Sequence, residues 1–308
     1  MPALKKKSLT ELTWKSIAPP YLDFEYFADC RKVPFRHRAH LFDLANAWWL
    51  AECSTLAYAD DDFVIQQLDR TDLDDVRFFK GKITQCFVAN NSRCVIVAFR
   101  GSELRKRPGE NDLSNVFADW LTNFRFVPVD WGQRGKVHQG FKAALDEVWQ
   151  ELSGYLDTLK DRRRTVWVTG HSMGAAVATL AADRYGNVRG LYTYGSPRVG
   201  DADFRSDYFV DTYRFVNNKD IVAKVPPQTL YVHVGNLKFI DAYGVLRDNE
   251  LRWGRWADDL EDKVRNMFSS LGRMEPGFSG FVPDAVKDHA PTLYAIHIWN
   301  ALVELQNH

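Results

Sequence analysis

A mainly parallel β-sheet flanked by helices, an α/β fold, is the class this sequence predicts, on three observations. Short β-branched and aromatic runs alternate with stretches of helical periodicity along most of the chain. The strand-like run Thr165 to Thr169 passes directly into an Ala-rich helical run through Gly170-His171-Ser172-Met173-Gly174. The composition, 45% apolar and 26% charged over 308 residues, is that of a packed water-soluble domain.

Residues 1–39 mix aromatics, charges and a Pro19-Pro20 break without periodicity, which predicts an irregular extension packed on the main body. Residues 40–308 are expected to form one domain. Leu41, Leu44, Ala45 and Trp48, then Cys53, Leu56 and Ala57, recur at helical spacing and predict a long helix with one buried face. Phe63 to Leu68, Val76 to Phe79, Ile83 to Ala89 and Cys94 to Phe99 read as strands divided by turn residues. Phe141, Ala144, Leu145, Val148, Trp149, Leu152, Tyr155, Leu156 and Leu159 mark an amphipathic helix ahead of the strand Thr165 to Thr169 and the helix from Ser172. Strands are then expected at Gly190 to Tyr194, Thr212 to Asn217 and Leu230 to Val234, and a final helix from Pro291 to Leu305.

Lys plus Arg equals Asp plus Glu at 40 each, so no global field would hold nucleic acid or an anionic membrane. Lys5-Lys6-Lys7 and Arg162-Arg163-Arg164 read as solvated faces. The four cysteines form no CxxC pair and stand at no zinc-ligand spacing with histidine, so no metal site is expected. A turn at Asn90-Asn91 would set Cys86 opposite Cys94, where a disulfide is one reading and free thiols the default. Neither a secretory signal nor a membrane-spanning run stands out, so the expectation is a cytoplasmic protein or one exported by a signal-independent route.

Gly170 to Gly174 fits G-x-S-x-G, in which a tight strand-to-helix turn lifts the serine hydroxyl clear of the backbone. The start of a helix would also favour the negative charge that develops on a substrate oxygen. Serine is equally a preferred helix cap, so the pentapeptide alone leaves Ser172 open to both readings. A serine alcohol needs a base, usually a histidine held by a carboxylate, and on such a sheet the chain order is Ser, acid, His. Of the eight histidines only His233, His289, His297 and His308 follow Ser172. His233 sits inside an expected strand, His297 on the last helix and His308 at the end, whereas His289 stands at an element boundary from which an imidazole can lean over the sheet edge. Asp220, in a turn at a strand end, leads among the acids, while Asp201, Asp203, Asp207 and Asp211 read as caps or surface charges.

Taken together, Val97 to Ser102, Asp119-Trp120, Val137 to Phe141, Gly170 to Gly174, Tyr194 to Gly200, Asn217 to Asp220 and Asp288-His289 through Tyr294 resemble the fungal-type class 3 lipase family of α/β hydrolases in order and spacing. The resemblance covers roughly residues 40 to 305. It implies Ser172 as nucleophile, Asp220 as orienting acid and His289 as base. It further implies an oxyanion hole made by Ser102, through its N–H and hydroxyl, and the N–H of Met173. His138 and His171 match family positions as structural residues.

Two segments depart from the family pattern. Residues 103–118 widen the gap where the family carries its lid, and residues 241–288 look like an inserted cap before the histidine. The expected activity is carboxylic-ester hydrolysis, foremost of triacylglycerols, with no metal or organic cofactor. Phospholipase A1 or a short-chain or feruloyl-type esterase would use the same machinery, and a non-catalytic lipid-binding protein is the remote rival. The expected partner is a lipid or other ester, met in transient contact with a lipid–water interface.

Overall fold

A computed structural model describes residues 4–9, 12–13, 17, 19–102, 126–160, 164–248 and 284–307. The expected lid at 103–118, Asp119-Trp120, most of the expected cap, Arg162-Arg163 and His308 lie outside the described residues.

Ten strands are described: β1 Asp75–Lys80, β2 Gln85–Asn90, β3 Cys94–Phe99, β4 Pro128–Asp130, β5 Lys136–His138, β6 Thr165–His171, β7 Gly190–Tyr194, β8 Thr212–Asn217, β9 Asn236–Ile240 and β10 Leu246–Arg247. The helices are α1 Leu44–Leu56, α2 Asp61–Leu68, α3 Gln139–Thr158, α4 Met173–Tyr185, α5 Ala202–Ser206, α6 Asp284–Lys287 and α7 Pro291–Asn307. Eight strands form one sheet in the order β1-β2-β3-β6-β7-β8-β9-β10. The run from β3 to β9 is parallel, with antiparallel strands added at both edges. The pair β4–β5 is separate and antiparallel.

Both faces of the sheet are covered, which is why its central strands are apolar without alternation. In β3, Cys94, Ile96 and Ala98 join the core under α1, α7 and the N-terminal residues Tyr26, Phe27 and Val33. Val95, Val97 and Phe99 point the other way, into the core shared with α3 and α4. Those strands end together at one edge, and the residues that follow β3, β6, β8 and α6 converge there. Among the described residues no helix is long and apolar enough to cross a membrane.

Three expectations fail in instructive ways, and the Cys86–Cys94 disulfide, the lesser of two readings, is excluded. Phe63 to Leu68 is helix, not strand: Asp60 accepts the N–H of Phe63 at 2.9 Å, and Val64, Gln67 and Leu68 are buried at helical spacing. The helix α1 has no single buried face, because every residue from Ala45 to Leu56 is buried between sheet, α7 and the N-terminal residues, while Leu41 is exposed outside it. Leu230 to Val234 is not a strand; Val232 only bridges Gly200, and Asn236–Ile240 takes the place beside β8. Its polar Asn236 and Lys238 hid it. Cys86 faces Phe99 rather than Cys94, and the two thiols belong to opposite faces of the sheet, so all four described cysteines are free.

Candidate active site

Ser172 stands between the end of β6 and the first residue of α4, with φ 58° and ψ −130° and no side-chain capping bond. The cap reading therefore fails: the hydroxyl is turned away from its own helix. A Cβ at Gly170 would lie 2.4 Å from the Gly174 carbonyl oxygen, and one at Gly174 would lie 2.4 Å from the Phe99 carbonyl oxygen. The turn closes only because both positions lack a side chain, which is the physical content of the spacing. The N–H of Ser172 donates to the Tyr194 carbonyl at 3.0 Å, locking the turn to β7.

His289, the middle of the three residues between α6 and α7, brings Nε2 to 2.9 Å from Ser172 Oγ. Its Nδ1 lies 2.9 Å from each oxygen of Asp220. A carboxylate accepts, so Nδ1 carries the hydrogen and the Nε2 lone pair faces the serine hydroxyl. Asp220 is fully buried and its charge is satisfied: Oδ1 accepts the Val222 N–H at 2.9 Å and Oδ2 the Tyr294 hydroxyl at 2.5 Å. Gly195, at φ 57°, clears room for this pair, since a Cβ there would meet Asp220 Oδ2 at 2.6 Å.

The two loops are fastened to each other by Asp288. Its Oδ2 accepts from Asn218 Nδ2 and from the Lys219 N–H, each at 3.0 Å, and its carbonyl accepts from Asn217 Nδ2 at 3.0 Å. Burial pushes its carboxyl up to about 6, with the Lys219 N–H opposing and Asp220 adding to the rise.

A second set of bonds runs behind the serine. His171 Nε2 lies 2.7 Å from the carbonyl oxygen of His289, so Nε2–H donates there. Nδ1 then accepts from the Tyr58 hydroxyl at 2.8 Å, and that oxygen packs against Gly101, where a Cβ would meet it at 2.0 Å. Burial, and next the neighbouring His289, hold His171 well below its usual range, which keeps it neutral and suited to this one-donor, one-acceptor role. Gly101-Ser102, His171 and His289 are thus joined through side chains.

Ser102 and Ser172 line one cleft, whose apolar wall includes Ile17, Tyr21, Val286 and Ala290. Ser102 Oγ points at Met173 Sδ, 3.4 Å away, rather than over the serine. The Met173 N–H belongs to the first turn of α4, where no intrahelical acceptor exists.

The structure thus brings Ser172, Asp220 and His289 together and puts Ser102 and Met173 beside them. His233 is occupied elsewhere, its Nε2 on the Ala223 carbonyl at 2.8 Å, and His297 lies against Gly244. Asp201 caps α5 at Phe204. His138 caps α3, accepting from Gly140 at 3.1 Å. Sequence reasoning gave no role to Tyr58, Tyr294 or Asp288. Tyr294 carried a weak signal as the end of the stretch that begins at Asp288, whereas Tyr58 carried none, because its partners are distant in the chain.

A parallel sheet with this strand-to-helix serine and the serine–histidine–aspartate line defines an α/β hydrolase fold. The sequence pattern of the lipase (class 3) family matches residues 96–230. Over 163 residues it is 36% identical to a lipase of Rhizomucor miehei, covering 47% of this chain and 41% of that one. Over 119 residues it is 39% identical to secreted mono- and diacylglycerol lipase 1 of Fusarium solani, covering 35% and 36%. The structure of a mono- and diacylglycerol lipase from Aspergillus oryzae superposes with a TM-score of 0.51 at 27% identity, over 65% of this chain and 81% of that one. The chain spans less than half the length of the two sequence relatives named here.

Proposed function

We propose that the protein hydrolyses acylglycerol esters through an acyl-enzyme on Ser172. The observation that carries this is the buried hydrogen-bonded line from Ser172 Oγ through His289 to Asp220, at the side of an apolar cleft. As Oγ attacks the ester carbonyl carbon, its proton passes to His289 Nε2, and Asp220 stabilises the imidazolium and holds its tautomer. The carbonyl oxygen becomes an oxyanion facing the N–H groups of Ser102 and Met173, with the Ser102 hydroxyl turning from Met173 to join them. Each such donor contributes on the order of 3 kcal/mol. Collapse expels the alcohol, which takes the proton back from His289. Water then repeats the sequence on the acyl carbon and frees the acid.

The names of the fungal relatives support mono- and diacylglycerols as the ester class. The proton relay serves other carboxylic esters as well, because the pocket and not the relay selects the acyl group. Purified protein is to be assayed on emulsified triolein, monoolein, phosphatidylcholine and soluble p-nitrophenyl butyrate, beside Ser172→Ala. Release of fatty acid from the glycerides faster than from the phospholipid is expected, with a loss of about 10⁴-fold or more in the alanine variant. Full turnover by Ser172→Ala would remove the nucleophile assignment, and a preference for phosphatidylcholine would replace the substrate class.

A further inference from the structure

The family pattern begins at residue 96, yet part of the cleft wall beside Ser172 is built by residues far upstream of it. Ile17, Pro19 and Tyr21 line the cleft together with Tyr58, Ser102 and Ser172. Ile17 is 6% exposed and packs in one apolar cluster with Ile221 and Val222, which follow Asp220, and with Val286 and Ala290, which flank His289. It therefore seals the seam between the two loops that hold the acid and the base.

The segment is anchored. Tyr21 donates its hydroxyl to the Ile17 carbonyl at 2.7 Å, and its ring meets that of Tyr58 edge-on with centroids 6.0 Å apart. Further upstream, the backbone of Lys7 exchanges two hydrogen bonds with the Asn300 side chain, at 2.8 and 2.9 Å, and Trp299 Nε1 donates to the Lys5 carbonyl at 2.8 Å. Such a surface, aliphatic and aromatic and beside both the nucleophile and the serine of the oxyanion loop, offers nothing to a polar acid and dispersion contact to a hydrocarbon chain.

We infer that Ile17, with Pro19 and Tyr21 behind it, is the wall against which the acyl chain of the ester lies, and that it sets the length of chain accepted. This rests on the ester-hydrolase reading above. Acyl length is read with p-nitrophenyl esters of butyrate, octanoate and laurate, which share one leaving group. Ile17→Trp should lower the laurate-to-butyrate ratio of kcat/KM by about tenfold and Ile17→Ala should raise it, since about that much discrimination is available from small changes in an apolar pocket. Destabilisation alone cannot move the ratio in opposite directions. Leu293→Ala, in the same cluster but away from the cleft wall, is the control, expected to lose stability with the ratio unchanged. Labelling of wild type and variants by an alkyl phosphonate reports intact nucleophile. Labelled, active variants whose ratios stay at the wild-type value, or follow Leu293→Ala, overturn the wall; a wild type that is neither labelled nor active overturns the hydrolase reading and the wall with it.

Discussion

The serine turn and the loops that carry Asp220 and His289 reach the same site by different means. Ser172 is held by backbone packed on backbone: Gly170 and Gly174 let β6, α4 and the end of β3 approach closer than any side chain allows. Asp220 and His289 are held by side chains distant in sequence, through Asp288, Asn217, Asn218, Tyr294 and the Tyr58–His171 pair. A position set by local sterics is announced by a short motif. One set by a hydrogen-bond network is visible only when the network's members are neighbours in space.

The comparison can be broken at several points, and the largest effect is expected where the relay itself is cut. His289→Ala should lower kcat by about 10⁴-fold or more, whereas His297→Ala, on α7 but outside the cleft lining, should stay near wild type in turnover. A severe loss in the second and not the first would reassign the base. Next, Gly174→Ala places a methyl against the Phe99 carbonyl and must displace the turn, so a loss of about 10²-fold in kcat with reduced thermal stability is expected. Wild-type kinetics there would mean that the turn is not held by close approach.

A milder cut is Tyr58→Phe, which removes the donor to His171 Nδ1 and the hydroxyl packed against Gly101. It should lower kcat by about tenfold with KM for butyrate esters little changed, because the residue positions His289 and the Ser102 loop without touching the reacting atoms. A loss of activity matched by an equal fall in titratable active sites, with kcat per site unchanged, would show that it merely keeps the protein folded.

The framework beneath both regions has its own signature. Glu52, fully buried in α1, accepts from Trp48 Nε1 at 2.7 Å with Lys7 Nζ 3.5 Å away. Burial raises its carboxyl from 4.5 to about 7, Lys7 opposing. The folded state therefore binds this proton more tightly than the unfolded chain does. The contribution is complete below pH 4.5 and is lost as pH rises to about 7, up to about 3 kcal/mol at 1.4 kcal/mol per pH unit. Urea denaturation at pH 5 and pH 8 should show wild type losing more stability than Glu52→Gln over that interval. Parallel losses would assign the pH dependence to other groups.

Much of this molecule was legible beforehand, for reasons that differ by element. The central strands were readable because both faces are covered and their runs are continuously apolar, and α3 because one face is wet. The misreadings share a cause. Asp60-Asp61-Asp62 start a helix whose apolar residues are also β-formers, and β9 alternates polar residues along a strand near the sheet edge. In both, pairing and capping partners outweighed intrinsic preference.

The sequence by itself determined the strand-turn-helix around Ser172 and the chain order of serine, acid and histidine, because tight turns and strand ends are local matters of sterics and composition. Only the tertiary structure decided that Tyr58 and His171 join the Gly101-Ser102 loop to His289, that Asp288 fastens the two loops, and that Ile17 lines the cleft. Those contacts join residues separated by up to 118 positions in one case and by most of the chain in another, and no local pattern encodes which distant side chain arrives to satisfy a buried donor or fill an apolar gap.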